Sequence, residues 1–229
     1  RSAGSGNSMT MRSLSWPSKA GATAIQIDAG GRTSNLSNSG TILAKVNGDK
    51  AIGTAVLDRS GTLSNIVNQG RVIVEGAAGT DRAIAFDLGA NTSGVTITQS
   101  LLSEKANAPE IIGNILLGSG NDLIDASAGK ITGKIVFGAG NDRLRLTSGA
   151  SYSGAVSFGS GTGELSLADK ASFSGSADFG GASSTLTLGG TSKFSGTLAG
   201  SGATSVAVNG GSFVLLNEGT VNLASLSVG

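Results

Sequence analysis

The 229-residue sequence contains no cysteine and no histidine. Without cysteine the chain has no disulfide framework and no thiol nucleophile. Without histidine it has no Ser-His-Asp or Cys-His constellation and no ordinary histidine-based zinc site. No apolar run approaches the ~20 residues that a helix needs to span a bilayer. These absences exclude several classes of hydrolase and predict no transmembrane segment in this chain.

Charge and aromatic side chains are also scarce. The 16 basic and 15 acidic residues leave a net charge of +1, so nothing in the composition attracts nucleic acid or an anionic membrane surface. Aromatic residues make up 4% of the chain, which is too few for platforms on which bases stack. We therefore expect no nucleic-acid partner.

Glycine is abundant, with 38 residues against 2 prolines, and it falls at fixed places in a repeat. Between residues 113 and 208 similar side chains recur every 21 residues. The repeating columns are Phe137, Phe158 and Phe179; Tyr152, Phe173 and Phe194; Leu144, Leu165 and Leu186; and Leu146, Leu167 and Leu188. Leu117, Ile131 and Ile124 precede these columns, and Ala199, Phe213, Val206 and Val208 are predicted to continue them.

A fixed period of this size indicates stacked structural repeats. Within each unit, short runs such as residues 143–146 alternate apolar with polar side chains, which is the pattern of a strand with one buried face. A unit of about 20 residues is too short for the common helical repeats. The sequence therefore predicts an all-β parallel β-helix of about eight or nine coils, with three short strands per coil.

A longer period precedes this one. The segments 24–28, 54–58 and 83–87 are similar, at intervals of 30 and 29 residues. Asn38 and Asn68 occupy equivalent Asn-x-Gly turns, because asparagine and glycine both suit a tight turn between strands. We expect these two asparagines to have a structural role and to stack as an asparagine ladder.

The repeats divide the chain into segments. Residues 1–23 are interpreted as a leader or an amino-terminal cap, in which the Leu14–Trp16 portion could cover the first coil. Residues 24–229 form the predicted β-helix, with coils of about 30 residues over 24–99 and of about 20–21 residues over 113–229. Residues 100–112 are expected to be the joint where coil length changes; the alternative is a protruding functional loop. The chain is expected to be a processed or excised piece of a longer protein.

The Asn-x-Gly-x-Ile/Val turns at 38–42 and 68–72, the Phe-Gly-x-Gly-Asn-Asp-x-Leu-x-Leu coil at 137–146, and the lack of cysteine together resemble a bacterial type V secretion (autotransporter) passenger domain. The resemblance covers about residues 24–229. It implies a right-handed β-helix that is exported across the outer membrane and is displayed on the bacterial cell surface or secreted. It also implies that the passenger's partner is its own carboxyl-terminal outer-membrane β-barrel, which is absent from this sequence.

Two turns carry the only candidate metal ligands. Gly118–Asp122 and Gly138–Asp142 resemble half of an RTX calcium turn, in which a carboxylate and backbone carbonyls supply oxygen ligands. The 20-residue interval differs from the nine-residue RTX repeat, and later coils lose the aspartate. Calcium at Asp122 and Asp142 is thus the minor alternative to a glycine-rich turn with a solvated aspartate, and no other cofactor is predicted.

Carbohydrate-active β-helix enzymes need clustered carboxylates and a basic residue on one face. The nearest cluster in this chain is Asp122, Asp125, Lys134, Asp142, Arg143 and Arg145. Both arginines alternate with leucines and should point outward, so we predict no catalytic residues in this segment.

The function that we expect is that of a non-catalytic stem that presents an amino-terminal functional part. The alternatives are an adhesin or self-association module that binds host or bacterial surfaces, favoured by an outward apolar stripe, and a carbohydrate-active enzyme, favoured by a charged groove along 122–145.

Overall fold

The computed structural model describes residues 11–14, 21–48 and 50–229. Within these residues the only helices are two single 3-10 turns, Thr80–Arg82 and Ser201–Ala203. Every strand pairing between the described residues is parallel, and each joins a strand to residues one circuit further along the chain. The predicted parallel β-helix is confirmed.

The strands form three faces, and each face is a ladder along the axis of the β-helix. The first face contains β2 (Ala22–Ile27), β5 (Gly53–Asp58), β8 (Ala83–Asp87), β11 (Asn114–Leu116) and β14 (Ile135–Val136). The second face contains β3 (Asn35–Asn38), β6 (Asn65–Asn68), β9 (Thr96–Gln99), β12 (Leu123–Ala126), β15 (Asp142–Leu146) and β17 (Gly163–Leu167). The third face contains β1 (Met11–Leu14), β4 (Thr41–Gly48), β7 (Arg71–Ala77), β10 (Glu110–Ile112) and β13 (Lys130–Thr132).

In the later coils one strand serves more than one face. The strands β16 (Ser151–Ser157) and β18 (Ser172–Asp178) run through the third and first faces, and β19 (Ser184–Ala199) runs through all three. The strand β20 (Thr204–Leu215) and the last strand, β21 (Ser225–Val228), extend the second face. The described residues therefore contribute nine levels to the second face.

Coil length follows the register. Asn35 pairs with Asn65, 30 residues later, whereas Asp122 and Asp142 lie 20 residues apart on adjacent coils. The longest circuit joins Arg71 to Glu110, 39 residues later, because residues 100–109 leave the ladder as a loop before β10.

The register of the first coils corrects two predicted intervals. Ile25 pairs with Val56 and Thr54 pairs with Ile84, which are offsets one residue longer than the similarity of the segments implied. The true register places Asp58 inward, opposite Ile27. Asp58 tolerates this buried position because its carboxylate accepts the backbone N–H groups of the turn that follows, including that of Leu63 at 2.9 Å.

The interior is built of stacked identical side chains, as predicted. Phe137, Phe158 and Phe179 are fully buried, and successive rings lie parallel with centroids 5.1 Å apart. The second aromatic column runs from Tyr152 through Phe173 and Phe194 to Phe213, with centroid distances of 4.9–5.3 Å. This spacing is set by the distance between parallel strands, ~4.8 Å.

One residue was assigned to a column wrongly. Ala199 pairs with Asp178 and is exposed, so it does not continue the column of Phe179. The column instead meets Gly200, which precedes a 3-10 turn and has no side chain with which to continue the stack. Leu198, one residue earlier, points inward on Ala177.

The predicted amino-terminal cap is described only in part. Residues 11–14 pair in parallel with β4, so this segment forms a strand beside the first full coil. Trp16 and the rest of residues 1–10 and 15–20 lie outside the described residues. Whether residues 1–23 are a leader or a cap stays a prediction.

Candidate functional site

A groove of about 620 Å³ runs across the coils at the turns that join the first face to the second. Its floor is formed by the aspartate column that starts at Asp122 and Asp142, and its rim by outward residues of β12, β15 and β17. We refer to this feature as the turn groove. The residues that line it include Asn121, Asp122, Asn141, Asp142, Arg143, Thr162, Glu164 and Ser184.

The two aspartates on the floor are buried, with 2% of Asp122 and 1% of Asp142 exposed. The expectation of solvated aspartates is therefore wrong. Each carboxylate accepts a backbone N–H from the coil before it, because its side chain points into the turn and not outward. Asp122 Oδ1 accepts the Val95 N–H at 2.6 Å, and Asp142 Oδ1 accepts the Asp122 N–H at 2.9 Å.

Neutral residues occupy the same column in the following coils. Gly163 pairs with Asp142 in register, and Ser184 Oγ accepts the Gly163 N–H at 2.9 Å. Thr204 pairs with Ser184 one coil later. The structural task of the column, which is to accept an N–H from the preceding coil, therefore does not require a negative charge.

Burial and proximity perturb both carboxyl groups. Desolvation raises the pKa of Asp122 to about 7; the hydrogen bond from Val95 lowers it and the charge of Asp142 raises it further. Desolvation also raises the pKa of Asp142, against the lowering effect of the Asp122 N–H. The Oδ2 atoms of both aspartates are buried and have no hydrogen-bond partner.

This arrangement offers few ligands to a metal ion. Asp122 and Asp142 stack on adjacent coils as the sequence predicts, but the part of the chain that is described contains no group of three or more His, Cys, Asp or Glu side chains that could hold a metal. Calcium typically takes six to eight oxygen ligands. Calcium binding at these two residues stays a prediction, with two carboxylates as its only charged ligands.

The charged residues of the predicted cluster separate into three groups. Arg143 and Arg145 point outward, as predicted, and pair with acidic residues of neighbouring coils: Arg143 Nε lies 3.0 Å from Glu164 Oε2, and Arg145 Nη1 lies 3.6 Å from Asp125 Oδ2. Lys134 lies on another part of the coil, just before β14, and is exposed. The structure thus brings Asp122, Asp142 and Arg143 to one groove but not the whole cluster.

The sequence analysis missed Glu164 as part of this site. Its signal was present, because the 21-residue interval that relates Leu144 to Leu165 also relates Arg143 to Glu164. Residues in register on adjacent parallel strands face one another, so opposite charges at this spacing predict a cross-coil ion pair.

The predicted asparagine ladder is confirmed and is one residue longer than expected. Asn38 Nδ2 donates to Asn68 Oδ1 at 2.8 Å, and Asn68 Nδ2 donates to Gln99 Oε1 at 3.0 Å. Gln99 in turn donates to the Ala128 carbonyl at 3.0 Å. All three side chains are buried, so the ladder is part of the core and not a binding surface.

The loop at 100–109 forms a second, smaller groove of about 300 Å³ against the turns 39–41 and 69–71. The loop is tied to these turns by the Gln69 side chain, which donates to the Leu101 carbonyl at 3.4 Å. Leu101 and Leu102 are 40% and 54% exposed. This is the place where the coils carry their largest outward excursion.

Known proteins add no assignment to this geometry. Comparison of the chain with the models of known families, with curated proteins and with solved structures finds no match. None of the helices in the described residues has the length and apolar character needed to cross a membrane. The class that the structure itself defines is that of a parallel β-helix.

Proposed function

We propose that this chain is a non-catalytic stem of a bacterial autotransporter passenger, displayed at the cell surface or secreted, which projects a functional part located amino-terminal to it. The observation that carries the proposal is the unbroken internal stack. On the second face, the inward position is apolar and buried at every level from Ile66 to Val206.

An unbroken stack supports a mechanical role. Each coil contacts its neighbours over its whole cross-section, so that the solenoid resists bending and its length scales with the number of coils. With nine levels on the second face and ~4.8 Å per level, the rod extends roughly 40 Å. Ion pairs between adjacent coils on the outer faces, such as Lys45–Glu75, add to the specificity of the register.

The enzyme alternative gains a groove but not the chemistry. The turn groove is lined by charged residues, as that alternative requires. However, both of its aspartates turn their Oδ1 atoms to backbone N–H groups and enclose their Oδ2 atoms in the core. Glycosidases need two carboxyl groups that flank the scissile bond, about 5–9.5 Å apart, and these two would have to leave the core to do so.

The adhesin alternative is favoured by apolar residues near the last strand. Val214, Leu215 and Leu216 are 37–59% exposed, and Leu226 and Val228 of β21 are 57% and 72% exposed. These side chains lie together at one end and do not form a stripe along the coils. An end patch of this kind is a smaller contact surface than the adhesin alternative requires, so we keep it second.

The stem proposal predicts that coils can be removed as whole units. Deleting residues 143–163 joins Asp142 to Glu164, the register partner of Arg143, and removes one 21-residue coil. We expect the shortened chain to fold. A control deletion of residues 143–153 removes half a coil and should prevent folding, because it places outward residues on the inward columns.

Length is measured with two spin labels, which the cysteine-free chain accepts without background. Lys45→Cys and Lys193→Cys lie on the third face and are separated by six coil steps, or roughly 30 Å. Removal of one coil should shorten the distance by ~5 Å. An unchanged or broadly distributed distance would contradict a rigid stem, and saturable binding of the purified chain to cell surfaces or turnover of a polysaccharide would favour the alternatives.

A further inference from the structure

Two negative charges lie one above the other in the interior of this β-helix without a positive partner. Asp122 and Asp142 are 98–99% buried and belong to adjacent coils. The charged groups that line the same groove are Arg143 and Glu164, which are bonded to each other at 3.0 Å. On the outer side of the same strands, Asp125 is paired with Arg145. Among the described residues, no ion pair reaches either buried carboxylate.

Stacked like charges in a dry site are unfavourable unless one of them is neutralised. Each aspartate uses only one oxygen for structure, and its Oδ2 has no partner. The chain itself shows that a neutral group can replace the carboxylate, because Ser184 accepts the N–H of Gly163 in the same column. The carboxylates therefore add something that the turn alone does not need.

We propose that Asp122 and Asp142 form a proton-binding pair, which takes up a proton when the coils fold and makes the stability of this part of the β-helix depend on pH near neutrality. The proposal concerns the coils themselves and does not depend on the display function.

The direction of the effect follows from linkage. The raised pKa of Asp122, about 7 against an ordinary value of 3.8, means that the folded chain holds a proton that the unfolded chain releases in this interval. Stability is then greatest below about pH 4 with respect to this group, and it is lost as the pH rises towards 7. Each proton bound on folding changes the unfolding constant by up to about tenfold per pH unit.

The test is equilibrium unfolding of the full chain in urea, followed by circular dichroism at pH 5, 6, 7 and 8. For the wild-type chain we expect the unfolding constant to rise across this range. The double variant Asp122→Ser/Asp142→Ser copies the solution found at Ser184 and should make the profile flatter. Asp125→Ser removes the same charge from the outward face of β12 and should keep the wild-type slope.

A second measurement does not depend on the variants. Carbon-13 NMR of the carboxyl carbons, with aspartate labelled, should show a resonance that titrates near neutrality in the folded chain and is absent from Asp122→Ser. A wild-type profile that is flat, or a slope that the double variant retains, would overturn the proposal. It would also be overturned by a calcium-induced rise in Tm at pH 7.5 that EDTA reverses and the double variant lacks, because a metal ion would then neutralise the pair.

Discussion

Removing one ring from the middle of the Phe137–Phe158–Phe179 column tests whether stacking holds the coils together. Phe158 is fully buried, and both faces of its ring lie against another ring at 5.1 Å, with interplanar angles of 3° and 7°. Phe158→Ala leaves a cavity that the rigid ladders on all three faces cannot close. Phenylalanine-to-alanine substitutions in cores cost about 3–5 kcal/mol, and two lost ring contacts place this one at about 4–5 kcal/mol.

The assay is urea unfolding monitored by circular dichroism, with Phe213→Ala as the matched control. Phe213 ends the other aromatic column, is only partly buried and has a single ring neighbour, Phe194, at 5.3 Å. We expect its loss to cost about 1–2 kcal/mol because less area is buried. Phe158→Leu should cost about 1.5 kcal/mol or less, since leucine occupies the same column position at Leu117. If Phe158→Ala and Phe213→Ala cost the same, the column does not stabilise the coils in the way described.

Two further substitutions test the polar core and the turns. Asn68→Ala should cost about 2–4 kcal/mol in urea unfolding, because it leaves the buried amide of Asn38 without its acceptor, whereas Asn65→Ala on the exposed side of the same strand should cost about 0.5 kcal/mol. Gly138→Ala and Gly149→Ala share nearly the same backbone, φ 97° and 100°, but a Cβ at Gly138 would lie 1.9 Å from the Gly118 carbonyl oxygen and one at Gly149 would meet nothing within 4 Å. We expect about 1–2 kcal/mol of conformational strain at Gly149 and a much larger loss of Tm at Gly138; equal losses would show that the coils can separate locally.

The fold was predictable because its largest residues repeat. In a stack of parallel strands, each inward side chain is in contact with the residue one coil away, so a column of phenylalanine or leucine appears in the sequence as a fixed interval. Phe158 and Leu165 could therefore be placed in the core without any structure. Arg143 and Arg145 could be placed outside for the same reason, because they alternate with the leucine columns.

The site was harder to predict because polar residues do not follow that rule. Asp122 reads as a turn residue, and turns are usually solvated, yet here the turn folds its carboxylate inward to serve the Val95 N–H of the preceding coil. That hydrogen bond spans 27 residues and depends on the exact register. The error of one residue at Asp58 had the same origin, since local similarity was stronger at the wrong interval than the packing of Ile27 against Asp58.

The division between inward and outward positions also indicates where specificity would be located. Along the second face the inward residues Leu144, Leu165 and Leu186 are identical at three successive levels, because each must fit between the other two. The outward residues beside them, Arg143, Glu164 and Thr185, differ in charge and size at every level. Packing constrains the first set and only solvent contacts the second, so substitutions on the outward rim can change what this rod recognises without changing how it folds. A rim swap of Arg143 and Glu164, which preserves their ion pair while reversing its direction, should therefore leave Tm within about 1–2 °C of the wild type, as expected for an exposed pair worth under about 1 kcal/mol.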